Sequence, residues 1–373
     1  MDRSHVFRSG LALLCFLASG VTDGGAQSLK WTEVGDKVAC AGCRINFEVE
    51  ATIDLQSRGI LVQQSSGIVI DRLGRLWVPS AAPTGGVIVI DAHGRVVRTV
   101  GDTTRPVHEI NYVFGLGSHG VDSVFYLDGR RVIASIVDVE SFRERKVPLA
   151  VRPASEATLP LQDGRLLANV SLGTREAIGR PFALLDPAGQ VEHLFGASDE
   201  VIRPDLSMEA RLRQLTKAGE SGFWSANINA LRFELWSTDG KLLRRLARNP
   251  TWFIPWHVWH GFSPSKELQP RVRAIRDEGD GLLWIIINVP NSSWREALVP
   301  VTNAGIAGYV PEAYNGVYDT VIEVIDTEQG RVVARERTEA FVSGFTTDGR
   351  LVVFDGPTEG GRLIIWRAMI DYR

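Results

Sequence analysis

The chain has 373 residues, 41 of them Lys or Arg and 44 Asp or Glu, which gives a formal net charge of −3. This balance excludes a chain-wide positive field of the kind that holds nucleic acid or an anionic membrane. The length and a hydrophobic content of 44% suffice for a sizeable core in one domain.

The N-terminus has the pattern of a secretory signal peptide. Arg3 and Arg8 precede an apolar run at residues 11–18, and small residues follow up to Ala26. The run is shorter than the roughly 20 residues that span a bilayer, so a retained anchor is the less favoured alternative. We predict cleavage after residue 26, export to the periplasm or the extracellular medium, and no transmembrane anchor in the mature chain.

The mature chain retains two cysteines, Cys40 and Cys43, in a segment (27–44) ahead of the first long strand. A haem attachment motif needs His directly after the second cysteine, where Arg44 stands, so that site is excluded. A redox pair needs its first thiolate at a helix N-terminus, whereas a strand is predicted to follow here. Export favours a local structural disulfide, with the redox pair as the alternative.

Short strands dominate the remaining chain. Residues 45–55 alternate strictly between apolar and polar side chains, which predicts a strand with one buried face. Residues 66–101 hold four β-rich runs separated by turns such as the one from Asp71 to Gly74, which is typical of a four-stranded antiparallel meander. The phrase around Trp77 recurs further along the chain at residues 122–128, 163–167, 222–224, 280–284 and 348–355.

This recurrence predicts a six-bladed β-propeller of four-stranded antiparallel blades over residues 45–373. The sixth unit supplies only three strands, so we expect strand 45–55 to complete it and to close the ring. A β-sandwich with Greek-key links is the rival architecture, but it does not explain the repeated phrase. Residues 208–218 carry Leu212 and Leu215 at a helical spacing and are predicted to form a short helix or a loop.

These repeats resemble the secreted bacterial six-bladed propellers of the NHL-like and TolB-like group. The resemblance rests on the stretch from Cys40 to Arg44, on the phrases at 90–101 and 234–241, and on residues 280–284. It covers nearly all of the mature chain and implies the propeller fold. The shared residues are turn and core residues, so the resemblance implies no particular activity.

A better-understood type of six-bladed propeller, the gluconolactonase and senescence-marker type, holds a divalent metal in its central channel. One of its metal ligands is a Glu from the first blade. The corresponding residues here, 62–67, read Val-Gln-Gln-Ser-Ser-Gly and contain no carboxylate. A metal-dependent hydrolase or lactonase with its site in the channel is kept as the alternative function.

The densest unusual chemistry lies at residues 251–262, TWFIPWHVWHGF, between the fourth and fifth units. Aromatic rings with polar edges suit a surface for sugars, peptides or another protein, and two imidazoles three residues apart could share a metal. A structural cap on the channel is the third interpretation, and the insertion at 291–318 could add a lid or a docking surface. The candidate binding residues of this segment are Trp252, Trp256, His257, Trp259 and His260.

A second candidate site lies early in the second unit, where His108, Glu109 and His119 could line the channel opposite Arg273 or Arg276. No phosphate-binding loop, zinc-binding helix or serine-hydrolase elbow occurs in the sequence. The sequence therefore predicts an exported binding or scaffolding propeller without catalysis, cofactor or metal. Its expected partner is an unidentified protein, peptide or carbohydrate, and not nucleic acid.

Overall fold

A computed structural model describes residues 29–62, 67–81, 86–101, 113–128, 132–170, 180–196, 212–220, 222–303, 306–357 and 361–372. The predicted signal peptide, residues 1–26, lies outside these ranges, and so do His108 and Glu109 of the predicted channel site. Cleavage of the signal peptide therefore stays a prediction.

The N-terminal segment contributes strands to sheets that later residues build. β1 (Thr32–Glu33) is two residues long, and β2 (Arg44–Asp54) is the alternating strand predicted at 45–55. A 3-10 turn at Gln56–Arg58 follows β2. The chain then enters the repeated sheets.

Three four-stranded antiparallel sheets come next, each a meander in which consecutive strands are hydrogen-bonded neighbours. Blade 1 comprises β3 (Val69–Ile70), β4 (Leu76–Pro79), β5 (Val87–Ile90) and β6 (Val96–Val100). Blade 2 comprises β7 (Val113–Ser118), β8 (Ser123–Asp128), β9 (Ile133–Asp138) and β10 (Glu144–Pro148). Blade 3 comprises β11 (Pro153–Pro160), β12 (Leu166–Val170), β13 (Phe182–Leu185) and β14 (Val191–Phe195).

The second half of the ring repeats this arrangement with one insertion and one borrowed strand. Blade 4 comprises β15 (Arg213–Ala218), β16 (Gly222–Asn227), β17 (Arg232–Ser237) and β18 (Leu242–Ala247). Blade 5 comprises β19 (Arg271–Gly279) and β20 (Leu282–Pro290), then the inserted hairpin of β21 (Leu298–Asn303) and β22 (Ile306–Pro311), the helix α1 (Tyr314–Val317), and finally β23 (Tyr318–Asp326) and β24 (Arg331–Thr338). Blade 6 comprises β25 (Phe341–Phe345), β26 (Leu351–Asp355), β27 (Arg362–Asp371) and the borrowed β2.

The N-terminal strand closes the ring as predicted. β2 pairs antiparallel with β27 along its length, from Arg44 opposite Asp371 to Asp54 opposite Arg362. It is the outermost strand of blade 6, in the order β2-β27-β26-β25. The described residues thus form six four-stranded antiparallel blades, and the predicted six-bladed β-propeller is confirmed.

The chain crosses the outer edges of blades 4 and 5 before it reaches β2. β1 pairs in parallel with β18, and Val38 forms a bridge with Val332 of β24. Cys40 and Cys43 form the predicted disulfide, and Cys43 is buried in a cluster with residues of blades 5 and 6. The segment before β2 therefore covers strand edges that would otherwise be open to other chains.

The recurring Asp phrase forms a hydrogen-bonded turn. In blade 1 Asp71 Oδ1 accepts the backbone N–H groups of Leu73 and Arg75 at 2.9 and 3.0 Å, and Asp71 Oδ2 accepts the indole N–H of Trp77 at 2.8 Å. Gly74 has a φ of 74°, a left-handed conformation that favours glycine. The phrase that predicted the repeats therefore specifies the turns within them.

The hydrophobic core is divided among the interfaces between neighbouring blades. Trp77 of blade 1, fully buried, packs in a cluster with Tyr126 of blade 2. Phe182 of blade 3 contacts Phe223 and Trp236 of blade 4 edge to face, with ring centroids 5.3 and 5.8 Å apart. Each blade is thus held by the faces of its neighbours, which is the stabilisation expected of a closed repeat fold.

One prediction about local structure is wrong. Residues 208–218 were predicted as a helix or a loop, but Arg213–Ala218 is β15, the inner strand of blade 4, paired with β16 from Arg213 opposite Asn227 to Ala218 opposite Gly222. The strand faces a polar channel, so Thr and Lys stand where a strand with a buried face would carry apolar residues. The strand therefore lacks the alternation of apolar and polar residues by which a strand is recognised in a sequence.

Candidate functional site

The inner strands of the six blades converge on a central cavity of about 450 Å³. This volume lies within the range of small-molecule sites and is too small for a folded partner. Every blade contributes to its lining; one contributing residue from each blade, in order, is Ile68, Ser118, Thr158, Lys217, Arg273 and Thr346. The cavity is therefore a candidate binding site formed by the whole ring.

β-Bulges shape the lining. The pairing register shifts between Phe114 and Leu116, between Val272 and Ala274, and between Val342 and Gly344, so that Gly115, Arg273 and Ser343 are the extra residues. All three of these residues line the cavity. Bulges re-aim side chains and are over-represented beside functional sites, which fits the position of Arg273.

Cationic side chains outnumber anionic ones in the described lining. The lining contains Lys217, Arg273 and Arg276 and one carboxylate, Asp277. Arg273 is only 9% exposed. Arg276 donates a hydrogen bond to the carbonyl oxygen of Gly349 at 3.3 Å, and its guanidinium lies 3.8 Å from the carboxylate of Glu278, outside the lining. With Glu278 counted, the three cations still outnumber the two carboxylates, so the cavity favours an anionic ligand.

Two of these groups have shifted pKa values, although Lys217 is an exposed residue. Removal from water lowers the pKa of Lys217, and its ammonium makes no hydrogen bond or ion pair with any residue that the structure describes. Burial raises the pKa of Asp277, although an N–H from Gly279 and the charge of Arg276 act in the opposite direction. Ionisable side chains with shifted pKa values in a cavity are characteristic of functional sites.

His119 lies at the edge of this cavity. It follows Ser118, which lines the cavity, at the end of β7. Burial lowers its pKa, and the charges of Arg145 and Lys217 lower it further. The structure therefore places His119 near Lys217, and it places the predicted Arg273 and Arg276 in the lining, although His119 itself is not a lining residue.

The aromatic segment 251–262 packs largely against the hydrophobic core of the ring. Phe253 and Trp256 are buried, at 2% and 7% exposure. The indole N–H of Trp256 donates to the carbonyl oxygen of Pro270 at 2.6 Å, and the side-chain amide of Asn229 donates to the Trp256 carbonyl oxygen at 2.5 Å. Trp256 is therefore held inside the loop and is not presented to a partner in this conformation.

The rings of this segment continue into the insertion of blade 5. Trp259 lies beside Trp256 in a tilted arrangement, with 5.7 Å between the ring centroids, and contacts Phe262 edge to face at 5.8 Å. Phe262 in turn lies 6.3 Å from Tyr314 and 6.4 Å from Tyr318. The segment and the insertion of blade 5 therefore pack against each other.

The exposed candidates of the segment are the two histidines. His257 and His260 are exposed, whereas Trp252 is half buried beneath the guanidinium of Arg335, 5.5 Å from its ring. In the part of the chain that the structure describes, no three His, Cys, Asp or Glu side chains are grouped so that they could hold a metal ion. The binding roles of the histidines stay predictions.

Lys217, Asp277 and Thr158 of the lining are not among the candidates that the sequence predicts, whereas Arg273 and Arg276 are. Lys217 lies in the stretch predicted as a helix or loop, and Thr158 and Asp277 lie in inner strands that precede the recognised phrases at 163–167 and 280–284. Only the basic spacing of Arg271, Arg273 and Arg276 could have indicated a strand with cationic side chains facing a channel.

Comparisons with known proteins support the fold. No model of a known protein family matches the sequence, and no curated protein matches it. A member of the DUF4221 family from Bacteroides vulgatus is 11% identical with a TM-score of 0.57, over 88% of this chain and 99% of that one. A protein of Bacteroides fragilis NCTC 9343, whose name assigns it to the exported proteins, is 12% identical with a TM-score of 0.51, over 91% and 99% of the two chains.

A third neighbour is named as an enzyme. Virginiamycin B lyase from Staphylococcus aureus is 10% identical with a TM-score of 0.50, over 87% of this chain and 100% of that one. At these identities the matches establish the fold alone, and the fold agrees with the resemblance to secreted bacterial propellers. The neighbours do not decide between binding and catalysis.

Several observations fit an exported protein. One structural neighbour is named as exported, and Cys40 and Cys43 form a disulfide, which persists in oxidising compartments. Among the described residues, no helix has both the length and the apolar composition to cross a membrane.

Proposed function

We propose that this protein is an exported binding protein of the cell envelope whose ligand occupies the central channel. The observation that carries the proposal is the cavity itself: all six blades supply its lining, which contains Lys217, Arg273 and Arg276 and one carboxylate, Asp277. Concave sites with a few convergent polar groups are where small ligands bind.

The unfavourable charges support a binding role. Lys217 has a lowered pKa and Asp277 a raised one, so each ionised group is less stable in the folded protein than in water. Fold stability alone gives no reason to keep such charges in a channel. A ligand that pairs with these charges would give such a reason, because functional sites are commonly retained at the expense of stability.

The face loops have less support as the main contact surface. Trp256 and Phe253 are buried side chains, so their presence is explained without a partner. The alternative of a metal-dependent hydrolase needs several carboxylates or amides in the channel. The described lining offers Asp277 and Gln214 for that purpose, and this favours binding over metal-dependent catalysis.

Ligand-observed NMR with a panel of neutral sugars, carboxylates, amino acids and inorganic phosphate tests the proposal. Ser118→Trp would fill the channel, whereas Ser292→Trp adds the same bulk to an exposed position of the insertion. We expect at least one compound to bind the unaltered protein and Ser292→Trp but not Ser118→Trp. If every bound compound is lost only from Ser292→Trp, the site lies on the loops and the channel proposal is wrong.

A further inference from the structure

We propose that the channel ligand is a small hydroxylated carboxylate, such as a uronic acid, whose carboxylate is held by Lys217, Arg273 and Arg276. This inference rests on the proposed function, because it names the chemistry of the ligand bound at that site. The inference is based on the positions of the cationic side chains, the hydroxyl groups and the one carboxylate in the lining.

The cationic side chains define where the ligand carboxylate binds. Arg273 and Arg276 both come from β19 of blade 5, and Lys217 comes from β15 of blade 4, the neighbouring blade. Guanidinium groups bind carboxylates through paired N–H donors, and an ammonium adds a compact charge. Lys217 is exposed, and its ammonium makes no hydrogen bond or ion pair with a residue that the structure describes, so it can pair with a bound carboxylate.

Hydroxyl groups line the blades next to the cationic side. Ser118, Thr158 and Thr216 come from the inner strands of blades 2, 3 and 4. Thr158 is 7% exposed, and its hydroxyl has no hydrogen-bond partner among the residues that the structure describes. A buried polar group without a partner is costly, so a ligand or water must satisfy it. Ligand hydroxyl groups can both donate to and accept from these side chains.

Asp277 restricts the kind of anion that fits. Its carboxylate lies in the same lining as Arg276, one residue away on β19. A second anionic group on the ligand would be repelled there, whereas a ligand hydroxyl could donate a hydrogen bond to it. A hydroxylated monocarboxylate therefore fits better than citrate or phosphate, which carry more negative charge at neutral pH.

Isothermal titration calorimetry at neutral pH, with glucuronate, glucose, citrate and inorganic phosphate as probes, tests the inference. We expect glucuronate to bind best, and Lys217→Gln to weaken it about tenfold or more, since a charge-assisted hydrogen bond is lost. Lys241→Gln, which changes an exposed Lys on an outer turn of the same blade, should leave the affinity unchanged. Asp277→Asn should tighten citrate binding by removing the repulsion.

The outcomes separate this inference from the proposed function. If glucose binds as tightly as glucuronate and Ser118→Trp abolishes both, the channel is a binding site but the carboxylate assignment is wrong. If citrate or phosphate binds more tightly than glucuronate, the ligand class is wrong. If none of the four probes binds, or if Ser118→Trp does not affect their binding, the uronic acid assignment fails, and the NMR panel then decides whether the channel binds any other ligand.

Discussion

The guanidinium of Arg276 lies against the Cα of Gly349, in the turn between β25 and β26, and leaves no room there for a β-carbon. Gly349 also has a φ of 89°, a conformation that other residues adopt only with strain. The two residues couple the shape of a turn in blade 6 to the position of a cationic side chain that lines the cavity from blade 5.

Gly349→Ala should therefore affect both stability and the site. We expect a loss of about 1–3 kcal/mol in the free energy of unfolding, together with weaker binding of any anion in the channel, because Arg276 must move. Chemical denaturation measures the first effect. Gly74→Ala is the matched control, since Gly74 also has a positive φ, 74°, and a β-carbon there meets nothing within 4 Å. Equal stability of the two variants would contradict the contact.

Glu323 is a buried acid whose removal should destabilise the ring strongly. Its carboxylate and the guanidinium of Arg248 form an ion pair with both side chains at 0% exposure, and Arg335 donates to the same carboxylate at 2.5 Å. Asp36 also pairs with both guanidinium groups, but its side chain is half exposed. Glu323→Gln removes the fully buried counter-ion of Arg248, so we expect a loss of about 3–5 kcal/mol in chemical denaturation. Arg295→Ala, which breaks an exposed pair with Glu267, should cost less than about 1 kcal/mol.

Asp71 should make stability depend on pH in the acid range. Burial alone would raise its pKa, but hydrogen bonds from Trp77 and Arg75 outweigh burial and lower it. The unfolded chain thus binds the proton more tightly, so this contribution is present above about pH 4 and is lost as the pH falls through the lowered value. Denaturation at pH 2 to 7 should show a shallower acid loss for Asp71→Asn, which will be less stable at neutral pH. An unchanged pH profile would contradict the role of the turn.

Lys217 should cost the free protein stability. Its pKa is lowered by removal from water, so between the folded and unfolded values the unfolded chain binds more protons and stability rises with pH. Lys217→Gln should consequently keep or raise the melting temperature at neutral pH while it weakens anion binding. A thermal melt with and without glucuronate separates the two effects, and a clear fall in the melting temperature without ligand would show that Lys217 is structural.

The aromatic segment offers a test of core against surface. Trp256→Ala should cost about 3–5 kcal/mol, because it removes a buried ring and the hydrogen bond to Pro270. His257→Ala and His260→Ala change exposed side chains and should stay within about 0.5 kcal/mol of the unaltered protein. Thermal or chemical denaturation of the three variants decides whether Trp256 is a core residue, as its burial indicates.

The sequence alone was sufficient for the architecture. The phrase from Asp71 to Trp77 predicts a turn because its hydrogen bonds join residues at most six positions apart, and its recurrence predicts the blades. The missing fourth strand of the last unit and the alternation of residues 45–55 together predicted the ring closure that β2 provides. Local chemistry and repetition carry this information, so no contact between distant residues had to be known.

The binding site was decided by the tertiary structure. Thr158, Lys217 and Arg273 belong to three different blades, and only the closed ring brings their inner strands around one cavity. Inner strands face water in the channel, so their polar residues break the apolar alternation that marks a strand, as β15 shows. The same packing reassigns Trp256 from surface to core. The repeated phrase of blade 1 therefore determines the ring, and the convergence of the inner strands determines the site.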